Sequence, residues 1–155
     1  MRVAKKGGVM KKHLTYEVIA RIPPLLFEEQ EDGWIEAKTR LTKDQTSGYR
    51  KDSVSGVAIA GLIDLAIVAA CKMQYGAEGP TYNFGPKRIR FHIPPEREII
   101  VRAKVTWHRF GVYHAKVEIL DGDRTLLVQG SGNLKEDKVE EMKPKDWIIL
   151  PPSLT

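Results

Sequence analysis

The longest apolar stretch of the chain contains a single carboxylate near its centre. The run from Ser53 to Met73 reads SVSGVAIAGLIDLAIVAACKM, and apart from Asp64 and Lys72 its residues are small or apolar. Such a run predicts one continuous helix from about Ser53 to Gln74, buried on nearly all sides and enclosed by a sheet. A carboxylate is expensive to bury without a partner, so Asp64 needs a structural or chemical reason.

The same run is long enough to cross a bilayer, for which about 18 apolar residues suffice. Asp64 would then lie near the bilayer centre, where a carboxylate is costly. The rest of the chain has the pattern of a β-rich soluble domain. The buried helix is therefore the favoured interpretation, and no membrane span is expected.

Composition and charge narrow the possible partners. The 155 residues suit one domain with a real core, and the net charge of +5 favours nucleic acid, anionic lipid or a phosphorylated small molecule as the partner.

A single cysteine, Cys71, permits no internal disulfide and favours a cytoplasmic location. The basic N-terminal residues precede no long apolar run, so no secretory signal is predicted. The four histidines lack metal-ligand spacing, and neither a metal nor a cofactor is expected.

Two strands and a helix are predicted before the apolar run. Residues Leu14–Ile22 have apolar side chains at helical spacing and stop at two prolines, and Leu25–Gln30 forms a short strand. The next strand, Trp34–Thr42, alternates between two faces, of which one carries Ile35, Ala37, Thr39 and Leu41. A polar loop then leads to Ser53 and Ser55, either of which can cap the helix.

Four further strands are predicted after the helix. The first, Lys87–Ile93, is expected to direct Ile89, Phe91 and Ile93 inward. The second is Glu98–His108, whose inward residues would be Val101, Ala103, Val105 and Trp107. The third, Val112–Leu120, places Ala115, Val117 and Ile119 on one face, and the fourth follows a hairpin turn at Asp121–Asp123.

These elements predict an α+β fold in which one antiparallel sheet of five or six strands wraps one helix. The expected divisions are a flexible basic arm (1–12), a single domain (13–136) and a C-terminal tail (137–155). The open edges of such a sheet need covering, which a second copy would do most simply. Self-association as a dimer or tetramer is therefore expected.

Three stretches resemble the hotdog-fold acyl-CoA thioesterases, and the phenylacetate-degradation (PaaI-like) branch in particular. They read GYRKDSVSGVAIAGLIDLAIVAA, IRFHIPP and GVYHAKVEILDGDRTLLVQGSG, and the resemblance covers about Glu29 to Leu134. Ser55-Gly56-Val57 occupies the His-Gly-Gly positions of that branch, and Asp64 occupies its acid position. Gln45-Thr46-Ser47-Gly48 stands where the family often has Asn-x-x-Gly.

The resemblance implies hydrolysis of a small-to-medium or aromatic acyl-CoA at a site between subunits. The thioester carbonyl would lie against the N–H groups of Gly56 and Val57, which can stabilise an oxyanion at a helix N-terminus. Asp64 from the other subunit would act as general base or nucleophile. Gln45 would orient the water.

Each of these residues also has a purely structural interpretation. Asp64 could be a buried acid that is hydrogen-bonded to the backbone or a serine, and Gln45 could be an ordinary loop residue. Ser55 has no histidine near it in sequence to act as a base, so helix capping is its expected role. Cys71 is expected to lie in the core.

Cations on neighbouring strands could hold the phosphates of coenzyme A, with Arg90, His92 and Arg109 as the candidates. Two alternatives remain: a protein that binds acyl-CoA without hydrolysing it, and a basic sheet that binds single-stranded nucleic acid. Nucleic acid is disfavoured because the two aromatic residues between Ile89 and His108, Phe91 and Trp107, are expected to face the core.

Overall fold

The computed structural model of the protein describes residues 2–6, 9–13, 22, 25–43 and 53–137. Two strands, β1 (Arg2–Lys6) and β2 (Val9–His13), pair antiparallel, and all of their residues except His13 belong to the segment 1–12 expected to be a flexible arm. The predicted helix at Leu14–Ile22 lies outside the described residues except for Ile22, which packs against the core. The C-terminal tail beyond Asp137 also lies outside them.

The main sheet has six antiparallel strands. On one side lie β3 (Glu28–Glu29), β4 (Ile35–Arg40) and β6 (Glu98–Arg109). On the other side lie β7 (Val112–Asp121), β8 (Leu126–Lys135) and β5 (Thr81–Ile89). Their order across the sheet is β3-β4-β6-β7-β8-β5. The predicted α+β architecture of one sheet around one helix is confirmed, although the strand expected at Leu25–Gln30 is only two residues long.

The central helix, α1 (Gly56–Tyr75), matches the predicted segment closely. The Ser55 side chain accepts a hydrogen bond from the Ala58 N–H and caps the start, while Gly76 ends the helix in a left-handed conformation. The helix packs on the concave face of the sheet with buried side chains that recur at helical spacing: Ala58, Leu62, Ile63, Ala66, Ile67, Ala70 and Cys71. Although α1 is long and apolar enough to cross a membrane, it forms the core of this domain.

One face of α1 is open, contrary to the expectation of burial on nearly all sides. Val57, Leu65 and Val68 are exposed there, and Asp64 is half-buried at the border of the packed face. The sheet covers one side of the helix, and the apolar residues of α1 extend beyond that side. An apolar strip therefore remains beside the carboxylate.

The prediction for β5 is wrong in its bounds and in its inward residues. The strand begins at Thr81 and ends at Ile89, and both Ile89 and Phe91 are about half exposed, whereas Ile93 is buried. Two register shifts interrupt its pairing with β8, and Asn83 adopts a positive φ of 50°. Because each irregularity resets the alternation of faces, counting every second residue fails on this strand.

The prediction that Trp107 faces the core is also wrong. Val105 pairs with Ala115, but Trp107 pairs with His114, so Thr106 is an extra residue in β6. This β-bulge turns Trp107 to the outer, convex face, where it is 51% exposed, and His108 to the inner face. The inward residues before the bulge, Val101, Ala103 and Val105, are buried as predicted.

Two glycines of β8 allow the helix to approach the sheet closely. A Cβ atom at Gly130 would lie 2.7 Å from Cδ1 of Ile63, and one at Gly132 would lie 2.7 Å from Cδ1 of Ile67. Both glycines are buried on the inner face, and Phe84 of β5 also contacts the position of the Gly132 Cβ. Since neither helix nor strand can move freely, added volume at these positions strains the core.

We expect Gly132→Val to lower the free energy of unfolding by about 1–3 kcal/mol, as overpacking typically does. Chemical denaturation followed by circular dichroism measures this change. Ser131→Val is the matched control, because Ser131 is the neighbouring residue on the outer face. Equal stability of the Gly132→Val variant and the wild type would contradict the close packing of α1 on β8.

Candidate active site

Asp64 is held at the border of α1 by a residue of the edge strand. The Thr81 hydroxyl donates a hydrogen bond of 2.5 Å to Oδ1 of Asp64. Thr81 is the first residue of β5, and both side chains are partly buried. The carboxylate therefore has one fixed oxygen, and the only side-chain hydrogen bond found for it among the described residues comes from Thr81.

The N-terminus of α1 presents two backbone donors. Ser55 satisfies the N–H groups of Ala58 through its side chain and of Ile59 through its carbonyl. The N–H groups of Gly56 and Val57 have no hydrogen-bond partner among the described residues. A Cβ at Gly56 would meet no atom within 4 Å, so the space before this helix end is open.

Asp64 and this helix N-terminus cannot meet within one chain. Eight residues separate Gly56 from Asp64, which corresponds to about 12 Å along the helix axis. A thioester carbonyl held at Gly56 would therefore lie too far from the Asp64 of the same chain. If both act on one substrate, they must come from two chains.

The cations predicted to bind coenzyme A fall at opposite ends of the sheet. The N–H of Val54, just before α1, donates to the carbonyl of Ile93, so Arg90 and His92 lie beside the helix N-terminus. A shallow groove at this end is lined by Phe91, His92, Pro94, Arg97, Asp121, Thr125 and Leu127. Arg109 is the last residue of β6 and pairs with Val112 at the far end of β7, and the ten residues of β7 separate the two ends of the sheet by about 30 Å. The structure brings Arg90 and His92 together but not Arg109.

Gln45 and Cys71 are the remaining residues for which the sequence predicts a role. Gln45 lies outside the described residues, and its role stays a prediction. Cys71 is fully buried, and burial raises the pKa of its thiol to about 11. The thiol is therefore neutral at physiological pH and serves as a core residue, as expected.

Sequence reasoning missed Thr81. The pair Asp64 and Thr81 joins a helix to a strand 17 residues away, and the stretch around Thr81 lies between the predicted helix and the strand predicted at Lys87, where no element is predicted. Its threonine and tyrosine are strand-forming residues, which is the signal available in the sequence. The proline and glycines around them obscured that signal.

Comparison with solved structures identifies the fold. The chain superposes on the PaaI protein of the E. coli phenylacetic acid degradation operon with a TM-score of 0.63 and 14% identity, covering 72% of this chain and 82% of that one. A hypothetical thioesterase of Streptococcus pneumoniae TIGR4, solved with coenzyme A, superposes with a TM-score of 0.62 and 11% identity. The match covers 74% of this chain and 86% of that one. Two further structures of the latter protein are variants, one with an aspartate and one with a threonine replaced by alanine.

A third match, a thioesterase superfamily protein, gives a TM-score of 0.61 and 19% identity over 72% of this chain, which spans only 55% of the length of that match. No protein-family model matches the chain, and no curated protein matches it. At these identities the likeness establishes the fold, and the predicted hotdog fold is confirmed.

Proposed function

We propose that this protein is an acyl-CoA thioesterase whose catalytic carboxylate is Asp64. The observation that carries this proposal is the Asp64–Thr81 hydrogen bond beside an exposed apolar strip, on a hotdog fold with an open helix N-terminus. Support comes from the Streptococcus pneumoniae protein, which was solved with coenzyme A and studied as aspartate and threonine variants.

The chemistry needs a base, an oxyanion site and a leaving group. Asp64 takes a proton from water, and the resulting hydroxide attacks the carbonyl carbon of the thioester. The oxyanion of the tetrahedral intermediate accepts hydrogen bonds from the N–H groups of Gly56 and Val57. Its collapse breaks the C–S bond, and the coenzyme A thiolate leaves and takes up a proton. Direct attack by Asp64, followed by hydrolysis of the acyl-enzyme anhydride, uses the same groups.

Pairing of two copies along β5 would assemble this site. β5 is an edge strand, and its exposed apolar residues include Tyr82, Phe84 and Ile89. In an antiparallel pair centred near Gly85, the Thr81 end of one strand lies beside the Ile89 end of the other. Thr81 holds Asp64, and Ile89 leads to the helix N-terminus. Asp64 thereby approaches the partner's Gly56, and one dimer contains two equivalent sites.

The surfaces around the site suit an acyl-CoA. Val57, Leu65 and Val68 offer an apolar strip for a small-to-medium or aromatic acyl group. Exposed cations near the helix N-terminus, Lys87, Arg88 and Arg90, together with His92, offer partners for phosphates. The position of Arg109, about 30 Å away along the sheet, disfavours a phosphate-binding role for it within the same chain.

An acyl-CoA panel tests the proposal. Release of free coenzyme A is followed with a thiol reagent for short, medium, long and aromatic acyl groups, and binding of coenzyme A is measured by calorimetry. Hydrolysis of the short, medium or aromatic members supports the enzyme. Tight binding without hydrolysis of any member would mean that the protein binds acyl-CoA without catalysis. This outcome is worth testing because Ser55 and Val57 stand where the resembled branch has histidine and its second glycine.

Thr81 is a positioning residue in this scheme. We expect Thr81→Val to lower kcat about tenfold with little change in KM, because it removes one hydrogen bond to a charged group. Thr81→Ser keeps the hydroxyl and is expected to recover most of the rate. An equal loss in both variants would mean that Thr81 acts only through packing.

A further inference from the structure

The convex face of the sheet, which the proposed active site does not use, carries an organised row of aromatic and polar side chains. Strand register places Trp107, His114, Asn133 and Tyr82 side by side on four neighbouring strands. The Trp107 and His114 rings are stacked, with centroids 5.4 Å apart and planes 9° from parallel. Trp107 is 51% and Tyr82 40% exposed. We call these four residues the aromatic row.

The centre of the aromatic row is fixed by a hydrogen bond. Nδ1 of His114 lies 2.8 Å from Oδ1 of Asn133, which holds the imidazole against the indole. Trp107, His114 and Asn133 are therefore held in place before any ligand arrives, and little conformational entropy is lost when a base stacks on Trp107. An ordered, half-exposed tryptophan on an open sheet face is a stacking surface for another flat ring.

Cations border the aromatic row on both sides. Lys104 and Lys116 face each other across β6 and β7 in the row next to it. On the opposite side of the aromatic row, Val112 of β7 pairs with Arg109 of β6 and with Lys135 of β8. None of the described residues that pair in these three rows is a carboxylate, so the rows carry four positive charges.

Carboxylates border the cationic rows on one side. One row beyond Lys104, Arg102 is neutralised by Glu36 and Glu118, at 3.4 and 3.3 Å. Beyond the edge of β6, the turn before β4 carries Glu31 and Asp32. The four cations around the aromatic row are therefore separated from this mixed-charge part of the sheet.

We propose that the aromatic row and its four flanking cations form a binding surface for single-stranded nucleic acid. Bases would stack on Trp107 and Tyr82, and the backbone phosphates would lie against Lys104, Lys116, Arg109 and Lys135. Nucleic acid is disfavoured by the sequence only if Trp107 faces the core, and the bulge at Thr106 turns Trp107 to the outer face. This inference does not depend on the thioesterase activity.

Charge complementarity favours this occupant over a second copy of the chain. Two copies meeting through the aromatic row would bring eight cations together, because the three rows contain no carboxylate among the described residues that pair in them. A polyanion with flat bases satisfies both the charge and the aromatic surface. Double-stranded nucleic acid offers phosphates but keeps its bases stacked and hidden from a flat aromatic surface.

Fluorescence anisotropy with a labelled 20-nucleotide oligothymidylate tests the proposal. We expect binding that weakens steeply with salt, and Trp107→Ala is expected to weaken it roughly tenfold or more. Phe91→Ala is the matched control, since Phe91 is 50% exposed but lies at the other end of the domain. Lys116→Gln is expected to reduce the slope of log K against log salt by about 0.7.

Several results would overturn the proposal. They are no binding of the oligonucleotide at low salt, equal effects of Trp107→Ala and Phe91→Ala, and equally tight binding of a duplex of the same length. Binding to phosphatidylserine vesicles without binding to the oligonucleotide would assign the face to an anionic membrane instead. Thermal melting of each variant excludes loss of fold, and Trp107→Ala is expected to leave acyl-CoA hydrolysis unchanged.

Discussion

Replacing Asp64 by asparagine is expected to lower turnover of the best acyl-CoA substrate by roughly two or more orders of magnitude. Asparagine keeps the size of the side chain and can still accept the Thr81 hydrogen bond. It cannot take a proton from water or act as a nucleophile, and a positioned base contributes about 10²–10⁴ in rate. Steady-state kinetics of the purified variant give kcat and KM separately.

Binding provides the control for this variant. Affinity for coenzyme A is expected to change little in Asp64→Asn, because the proposed phosphate partners lie beside the helix N-terminus. Arg90→Glu is expected to do the opposite, weakening binding first, since it places a carboxylate where a phosphate would lie. Wild-type turnover in Asp64→Asn would remove Asp64 from the chemistry and leave it as a structural acid.

Introducing a charge on the β5 edge is expected to abolish both the dimer and the activity. Ile89 is 52% exposed, so Ile89→Lys leaves the core of the chain intact. A lysine on an edge strand discourages pairing with a second strand. Light scattering at micromolar concentration is expected to show a dimer or tetramer for the wild type and a monomer for Ile89→Lys, which hydrolyses no substrate.

Leu26→Lys is the matched control for the edge variant. Leu26 is 77% exposed and lies just before β3, at the other edge of the sheet. The Leu26→Lys substitution introduces the same charge without changing β5, so assembly and activity are expected to persist. A wild-type protein that is monomeric and fully active would contradict the two-chain site.

Regular segments of the fold were predictable because local pattern and tertiary structure agree there. The run around Asp64 predicts a helix from about Ser53 to Gln74, and α1 begins three residues later, at Gly56, and ends at Tyr75, with Ser55 as its cap as expected. In β7, strict alternation placed Ala115, Val117 and Ile119 in the core, where they are fully buried.

The prediction failed where one residue interrupts the alternation. The extra residue Thr106 reverses the face of Trp107, and the shifts in β5 expose Ile89 and Phe91. A bulge is fixed by pairing with the neighbouring strand, which a single sequence does not reveal. The contact between Asp64 and Thr81 likewise depends on how the helix lies across the sheet.

Mixing two inactive variants tests most directly whether Asp64 and the helix N-terminus form one site from two chains. One variant is Asp64→Asn, and the other is Gly56→Leu, whose side chain enters open space in its own chain but blocks the proposed carbonyl site. In a mixed dimer, one site combines an intact Asp64 with the partner's intact Gly56. Random exchange of equal amounts is therefore expected to restore about a quarter of wild-type activity. No recovery, with mixed dimers present, would contradict a site shared between chains.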